Sequence, residues 1–195
     1  MAEKDFFTQD AKIKVRDAIK KVELQTSAEV VVAVRRCSDS YRQTDLAFGF
    51  ALAFATLLLL LFLPRSFAVL AMPIEVLVVF GVGIGVSSLF WGLKRLMTSR
   101  SRMKEQAWRL ACALFVKLGI SRTSGRNGIL VVVSMLERTV SIVYDIGIDP
   151  QAMGRGWEES VEGMRTAVGK GADFSKFIGA LESLGPVLGA QMPRA

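Results

Sequence analysis

Residues 46–63 read LAFGFALAFATLLLLLFL and residues 76–93 read VLVVFGVGIGVSSLFWGL, and neither run contains a charged residue. An α-helix rises ~1.5 Å per residue, so each run extends roughly 27 Å, close to the ~30 Å hydrocarbon core of a bilayer. The alternative is a pair of buried core helices, but such helices rarely stay apolar on every side for this length. The stretch 46–93 therefore predicts a hairpin of two transmembrane helices.

Small residues recur every four positions in both runs. They are Ala47, Ala51 and Ala55 in the first run, and Gly81 and Gly85 in the second. Small side chains at this spacing let helix backbones approach closely in lipid, so these five residues are the predicted helix-packing positions. The GVGIGV segment also resembles a nucleotide-binding loop, but no strand precedes it and no lysine follows it.

Basic residues predict the orientation of the hairpin. The connection between the two runs holds only Arg65, whereas nine basic residues flank the runs: Arg35, Arg36, Arg42, Lys94, Arg95, Arg100, Arg102, Lys104 and Arg109. By the positive-inside rule, both flanks are expected in the cytoplasm, with two spans in the inner (plasma) membrane. We define the basic collar as the residues expected to face anionic lipid at the membrane surface, namely Lys94, Arg95, Arg100, Arg102 and Lys104.

Two features of the connection complete the prediction for the hairpin. Residues 64–73, PRSFAVLAMP, are expected to form a tight turn whose two prolines mark the helix ends. Glu75 lies just outside the second run and is expected at the level of the lipid headgroups. The alternative role for Glu75 is a functional carboxylate inside the membrane.

Composition limits the remaining possibilities. The chain has 195 residues and a net charge of +7, and the part outside the hairpin is long enough for one soluble domain with its own core. The charge is concentrated beside the second run without a groove-reading motif, so no nucleic-acid partner is expected. There is no histidine, and Cys37 and Cys112 lie far apart, which excludes zinc sites and histidine-based triads. The polar N-terminus, MAEKDFFTQD, does not resemble a cleaved signal peptide.

The soluble part begins with a helix and a strand. A helix is predicted from a cap at Thr8 or Asp10 to about Gln25, with apolar residues at helical spacing. Residues 29–35, EVVVAVR, predict a short strand covered on both faces. Residues 93–118 contain no glycine or proline after Leu93, so the second membrane helix is expected to continue through the basic collar as one helix that ends before Gly119.

Two further strands complete the predicted sheet. The apolar run in 129–135 and the alternating pattern in 139–146 predict a β-hairpin, and helices follow from near Pro150 and from Asp173. The first two strands should be parallel, because a crossover with a helix separates them. The predicted fold is an α/β domain with a small mixed sheet packed against helices, and a two-helix membrane hairpin inserted after the first strand. The predicted parts are 1–45, the hairpin 46–93 (46–63 and 76–93), and 94–195.

The order of several short motifs resembles the TPM domain family, which includes thylakoid lumen proteins associated with photosystem II repair and many bacterial proteins. The resemblance covers residues 5–40 and 105–192 and rests on four segments: Thr26-Ser27-Ala28-Glu29, Arg126-Asn127-Gly128-Ile129-Leu130, Glu137-Arg138 and Asp145-Ile146-Gly147-Ile148. The better-studied members are usually exported and often carry one membrane helix behind the domain. The exported members carry a signal peptide in front, and this sequence departs from them on both points, since no signal peptide is expected and its membrane hairpin lies inside the domain.

The resemblance implies a phosphatase activity, because acid phosphatase action has been proposed for plant members. Phosphoryl transfer needs a nucleophile or a metal-held water, with cationic or backbone donors for the developing charge. The catalytic candidates are Asp145 and Asp149, which would hold a divalent cation, with Asn127 assisting. No other cofactor is expected.

An anion would be received by Arg122, Arg126 and the backbone of residues 124–128, including Gly128. A purely structural interpretation of the same loop is the alternative. In that interpretation Asn127-Gly128 is a turn pair, and Asp145 and Asp149 cap the following helix. Two aspartates four positions apart also lack the dense ligand spacing of a calcium loop.

Two functions remain as hypotheses. The preferred one is a non-enzymatic binding, quality-control or assembly module, anchored in the lipid bilayer at its cytoplasmic face, that binds another membrane protein or a membrane-bound protease. The alternative is a weak metal-dependent phosphatase that uses the aspartate loop after the third strand. Homo-oligomerisation through the small-residue faces of the hairpin is left open.

Overall fold

The computed structural model describes residues 2–62, 71–123, 125–169 and 171–194. Arg65, most of the predicted turn in the connection and Ser124 lie outside the described residues. The chain forms two compact units, of which the first combines Met1–Asp39 with Met103–Ala195 and the second is Ser40–Arg102. The second unit is thus an insertion in the chain of the first.

The helices, in chain order, are α1 (Ala2–Asp5), α2 (Gln9–Glu23), α3 (Arg42–Phe62), α4 (Ala71–Leu89), α5 (Trp91–Met97), α6 (Arg100–Lys117), α7 (Pro150–Gly169), α8 (Phe174–Glu182) and α9 (Leu184–Gln191). The strands are β1 (Glu29–Arg35), β2 (Gly128–Ser134) and β3 (Thr139–Tyr144), and a 3-10 turn covers Ile120–Arg122.

The three strands form one mixed sheet in the order β1-β2-β3. β1 runs parallel to β2, with Glu29 beside Gly128, and β2 runs antiparallel to β3, with Ser134 opposite Thr139. The connection between β2 and β3 is a short reversal that places Arg138 at a φ of 49°. This arrangement confirms the predicted α/β fold, with its parallel first pair, its β-hairpin and the helical insertion after the first strand.

The core of the first unit lies on both faces of β2, all of whose residues are buried. One face, including Ile129 and Val131, packs with residues of α2, α7, α8 and α9. The other face, including Leu130 and Val132, packs with residues of α6 and the 3-10 turn. The continuous apolar run of β2 follows from this double burial. β1 differs from the prediction, because it is an edge strand and most of its residues are only half-buried.

Two polar contacts fix helix ends in this unit, and one ion pair joins two helices. Thr8 Oγ1 accepts the N–H of Ala11 at 3.0 Å, which confirms Thr8 as the cap of α2. The Asp173 carboxylate accepts the N–H of Lys176 at the start of α8, and this bond lowers the pKa of Asp173. Lys21 of α2 donates to Glu182 of α8 at 2.8 Å, and that bond raises the pKa of Lys21.

The second unit contains the two candidate membrane helices. α3 and α4 are long and apolar enough to cross a membrane, and few of their residues are buried within the protein. Exposed apolar side chains cover both helices, among them Phe54, Leu61 and Leu77.

The predicted continuous helix from the second span into the soluble domain is wrong. α4 ends at Leu89, and the backbone is extended at Phe90 (φ −100°, ψ 97°) and again at Thr98 (φ −102°, ψ 129°). The hydroxyls of Thr98 and Thr44 form a 3.1 Å hydrogen bond, and Ser99 Oγ accepts the N–H of Arg102 at the start of α6. Ser and Thr hydroxyls favour helix ends through such bonds, so a helix can stop without glycine or proline.

Candidate functional site

Asp145 lies at the end of β3, in a turn closed by a hydrogen bond from the Ile148 N–H to the Asp145 carbonyl oxygen. Its side chain is buried. Asp145 Oδ1 accepts the N–H of Ile146 at 2.8 Å and lies 3.6 Å from the guanidinium of Arg126. Asp145 Oδ2 makes no hydrogen bond to any residue that the structure describes. Asp145 therefore forms an ion pair with Arg126, and one of its two carboxylate oxygens has no hydrogen bond within the described residues.

The other two catalytic candidates make separate structural contacts. The amide of Asn127 donates to the carbonyl oxygen of Ser27, which ties the loop before β2 to the start of β1. Asp149 Oδ1 accepts the N–H of Gln151 at 3.0 Å and thereby caps α7. The structural interpretation is confirmed for Asp149, whereas Asp145 bonds its own turn and does not cap the helix.

The predicted anion-binding residues are also distributed over different contacts. Arg122 is exposed in the 3-10 turn, and Arg126, at a φ of 51°, lies next to Asp145. Gly128 is buried at the start of β2, where a Cβ atom would lie 2.6 Å from the carbonyl oxygen of Ile120. Ser124 lies outside the described residues. Within the described part of the chain, the Asp145 carboxylate is thus the one opposite charge that lies near Arg126.

A metal site in this loop would need several ligating side chains close together. Within residues 2–62, 71–123, 125–169 and 171–194, no three or more histidine, cysteine, aspartate or glutamate side chains group closely enough to hold a metal ion. In the described structure, hydrogen bonds of this loop join the start of β1, the start of β2 and the end of β3.

The hairpin contains a buried polar cluster that the sequence interpretation missed. We define it as Asp45 of α3, Ser87 of α4 and Lys94 of α5. Ser87 Oγ donates to Asp45 Oδ1 at 2.7 Å, and Lys94 Nζ lies 3.1 Å from Asp45 Oδ2. The Asp45 and Lys94 side chains are only 10% and 14% exposed. The signal was available, because Asp45 directly precedes the first uncharged run and Lys94 directly follows the second.

This cluster changes the interpretation of the basic collar. Lys94 binds Asp45, and Arg102 donates to the side chain of Gln43, so both side chains contact the polar end of the hairpin. Arg95 is half-buried. Within the collar, Lys94 and Arg102 thus contact side chains at the start of α3, and Arg100 and Lys104 are exposed.

The helix-packing residues also differ from the prediction. Ala47, Ala51, Ala55, Gly81 and Gly85 are all exposed, and a Cβ atom added to either glycine would meet nothing within 4 Å. The close contact lies two residues away from each predicted set, on Gly49 and Ala53 of α3 and Gly83 of α4. A Cβ atom on Gly83 would lie 2.9 Å from the Cα of Gly49. The spacing of four was correct, but the face was not, because both faces carry small residues.

A groove runs beside β3 in the first unit. We define the β3 groove by two adjoining cavities of about 460 and 420 Å³, which share Trp108, Ile142, Glu162 and Arg165. At the Thr139 end the wall adds Lys104 and Arg138, and at the Tyr144 end it adds Trp157 and Glu158. α6 supplies one wall, α7 supplies the other, and β3 lies between them.

Aromatic side chains give the β3 groove an apolar surface. Trp108 is 49% exposed, and Tyr144 is 42% exposed. The Tyr144 ring meets the ring of the buried Trp157 edge to face, with centroids 5.9 Å apart. Tyrosine and tryptophan are enriched at protein interfaces, because a large ring buries much area at a small entropic cost.

The backbone of β3 is open along the β3 groove. The N–H of Asp145 donates to the carbonyl oxygen of Gly128. In an antiparallel pair of strands, every second residue bonds to the neighbouring strand and the residues between them point away from it. Asp145 is one of the residues that bond to β2. The N–H and C=O groups of Val140, Ile142 and Tyr144 therefore point away from β2. No described residue hydrogen-bonds to these groups. The β3 groove thus combines unpaired backbone groups with aromatic and charged side chains.

The sequence matches no model of a known protein family, and no curated protein matches it. The fold is similar to the NMR structure of BA42 protein from the psychrophilic bacterium Bizionia argentinensis, with a TM-score of 0.51 and 16% sequence identity. The similarity covers 93% of this chain and 80% of that chain. At this level of identity the similarity supports the α/β fold alone.

Proposed function

We propose that this protein is a membrane-anchored binding module with a TPM-like domain, and that it works by protein–protein contact at the cytoplasmic face of the inner membrane. α3 and α4 are the anchor, and basic residues on both flanks set the orientation by the positive-inside rule. The partners we expect are another membrane protein, a second copy of this chain included, or a membrane-bound protease.

The observation that carries the proposal is the β3 groove. Its exposed aromatic side chains lie beside an open strand edge, and both features are used when a domain receives another polypeptide. The aspartate loop offers less support for catalysis, since Asn127 and Asp149 are engaged in separate structural contacts.

Photocrosslinking tests the proposal directly. A photoreactive phenylalanine analogue in place of Tyr144 should capture a defined protein in native membranes, because this position lies inside the β3 groove. Trp108→Ala should reduce that capture by roughly 10-fold or more, as loss of a central aromatic anchor does at an interface.

Ile13→Ala is the matched control, since Ile13 of α2 is 50% exposed, almost the same as Trp108. Capture should be unchanged by this control. Equal capture in the wild type, Trp108→Ala and Ile13→Ala would show that the β3 groove is not the binding surface.

A further inference from the structure

We infer that the partner of the β3 groove is a second copy of this chain, which pairs its β3 antiparallel to the first. This inference rests on the proposed function, because it names the occupant of the binding surface proposed there. The result would be one six-stranded sheet shared by two copies.

The two edges of the sheet are not equivalent. At the β1 edge, Glu23 Oε1 accepts the N–H of Val30 at 3.2 Å, so a carboxylate covers one of the backbone donors there. At the β3 edge, the outward backbone groups of Val140, Ile142 and Tyr144 meet no such side chain among the described residues. Antiparallel addition to β3 would satisfy these groups, and it is the pairing that a two-fold axis generates.

The charges at the two ends of the α7 wall are complementary to each other under that axis, and Glu162 lies between them near the axis. A two-fold axis perpendicular to the sheet places α7 of one copy beside α7 of the other, in opposite directions. Glu158 lines only the cavity at the Tyr144 end of the β3 groove, whereas Arg165, seven residues further along α7, lines both cavities and reaches the Thr139 end. Each Glu158 would therefore face the partner's Arg165. The contact that Arg165 makes with Glu162 is 3.9 Å long and exposed, so exchanging it for this pair costs little.

The α6 wall is complementary to itself in a different way. Lys104 and Trp108 lie one helical turn apart on α6, and both line the β3 groove. Under the same two-fold axis, Lys104 of one copy approaches the indole of the partner's Trp108, as in a cation–π contact. A foreign partner would need to match both walls independently, whereas a second copy matches both through one symmetry operation.

Charge reversal on α7 tests the inference. Two differently tagged copies are co-expressed, and their co-purification from detergent-solubilised membranes is measured. Glu158→Arg in both copies, or Arg165→Glu in both copies, should lower co-purification by roughly 10-fold, because like charges then oppose each other at both ends of the interface. Glu159→Arg makes the same charge change at a neighbouring position outside the β3 groove and should have no effect.

The decisive sample combines one copy carrying Glu158→Arg with one carrying Arg165→Glu. In a two-fold pair each altered residue then faces an opposite charge, so co-purification should return to the wild-type level. Failure of the mixed pair to recover, or equal effects of Glu158→Arg and Glu159→Arg, would overturn the inference. A third result is that capture at Tyr144 depends on Trp108 but co-purification is unchanged by the charge reversals. The β3 groove would then bind a foreign protein, and only the identity of the occupant would be refuted.

Discussion

Replacing Asp45 with alanine should lower the free energy of unfolding of the hairpin by about 3–5 kcal/mol, as expected when one partner of a buried ion pair is removed. The Asp45 carboxylate accepts a hydrogen bond from Ser87 and lies 3.1 Å from Lys94 Nζ. Without it, Lys94, whose side chain is 14% exposed, would lose the opposite charge that the structure places 3.1 Å from its Nζ. Thermal unfolding of the purified protein in detergent, followed by circular dichroism, measures the effect.

Two control variants separate the cluster from a general loss of packing. The double variant Asp45→Leu, Lys94→Met removes both charges and should be close to the wild type, because apolar side chains of similar volume often replace a buried pair at little cost. Asp17→Ala removes an exposed acid from α2 and should have little effect. If Asp45→Ala and Asp17→Ala change the free energy of unfolding equally, the polar cluster does not hold the hairpin together.

Gly49→Ala should destabilise the contact between α3 and α4 by about 1–3 kcal/mol, the usual cost of overpacking a close contact. A Cβ atom at this position would lie 2.9 Å from the Phe80 carbonyl oxygen and 2.8 Å from Ile84 Cγ1. The backbone oxygen cannot rotate away, so the helices must separate. Disulfide formation between cysteine pairs introduced across α3 and α4 would report this separation.

Gly81→Ala is the matched control for Gly49→Ala, because it makes the same chemical change in the same pair of helices. A Cβ atom on Gly81 would meet nothing within 4 Å, so no steric cost is expected inside the hairpin. Equal losses from the two substitutions would contradict the placement of the helix contact on Gly49 and Gly83.

Much of the fold was predictable because its signals are local. The apolar run in 129–135 predicted the strand that the structure places at Gly128–Ser134, and a cap at Thr8 or Asp10 predicted the start of α2. The break at Thr98 was not predictable from its neighbours, since Thr98 bonds Thr44, 54 positions earlier in the chain. A contact of that kind depends on how α3 and α5 meet, which local periodicity does not report.

The candidate sites were predicted less well, for the same physical reason. The sequence identified Asn127 and Asp149 as turn residues. It did not reveal their partners, and in the structure they bond backbone groups of Ser27 and Gln151, so their contacts are structural. The β3 groove was missed because Trp108 and Trp157 come from helices on opposite faces of the sheet. Only the sheet order, with β3 at an edge, brings these side chains to one surface.

The most direct test of the central claim is a crosslinking pull-down from native membranes combined with a phosphatase assay on the same samples. The wild type is compared with Trp108→Ala and with the double variant Asn127→Ala, Asp145→Ala. We expect a defined protein partner to be captured by the wild type and by the double variant but lost with Trp108→Ala, without phosphatase turnover in any sample. Turnover in the wild type that disappears in the double variant would contradict this account and make the aspartate loop an active site.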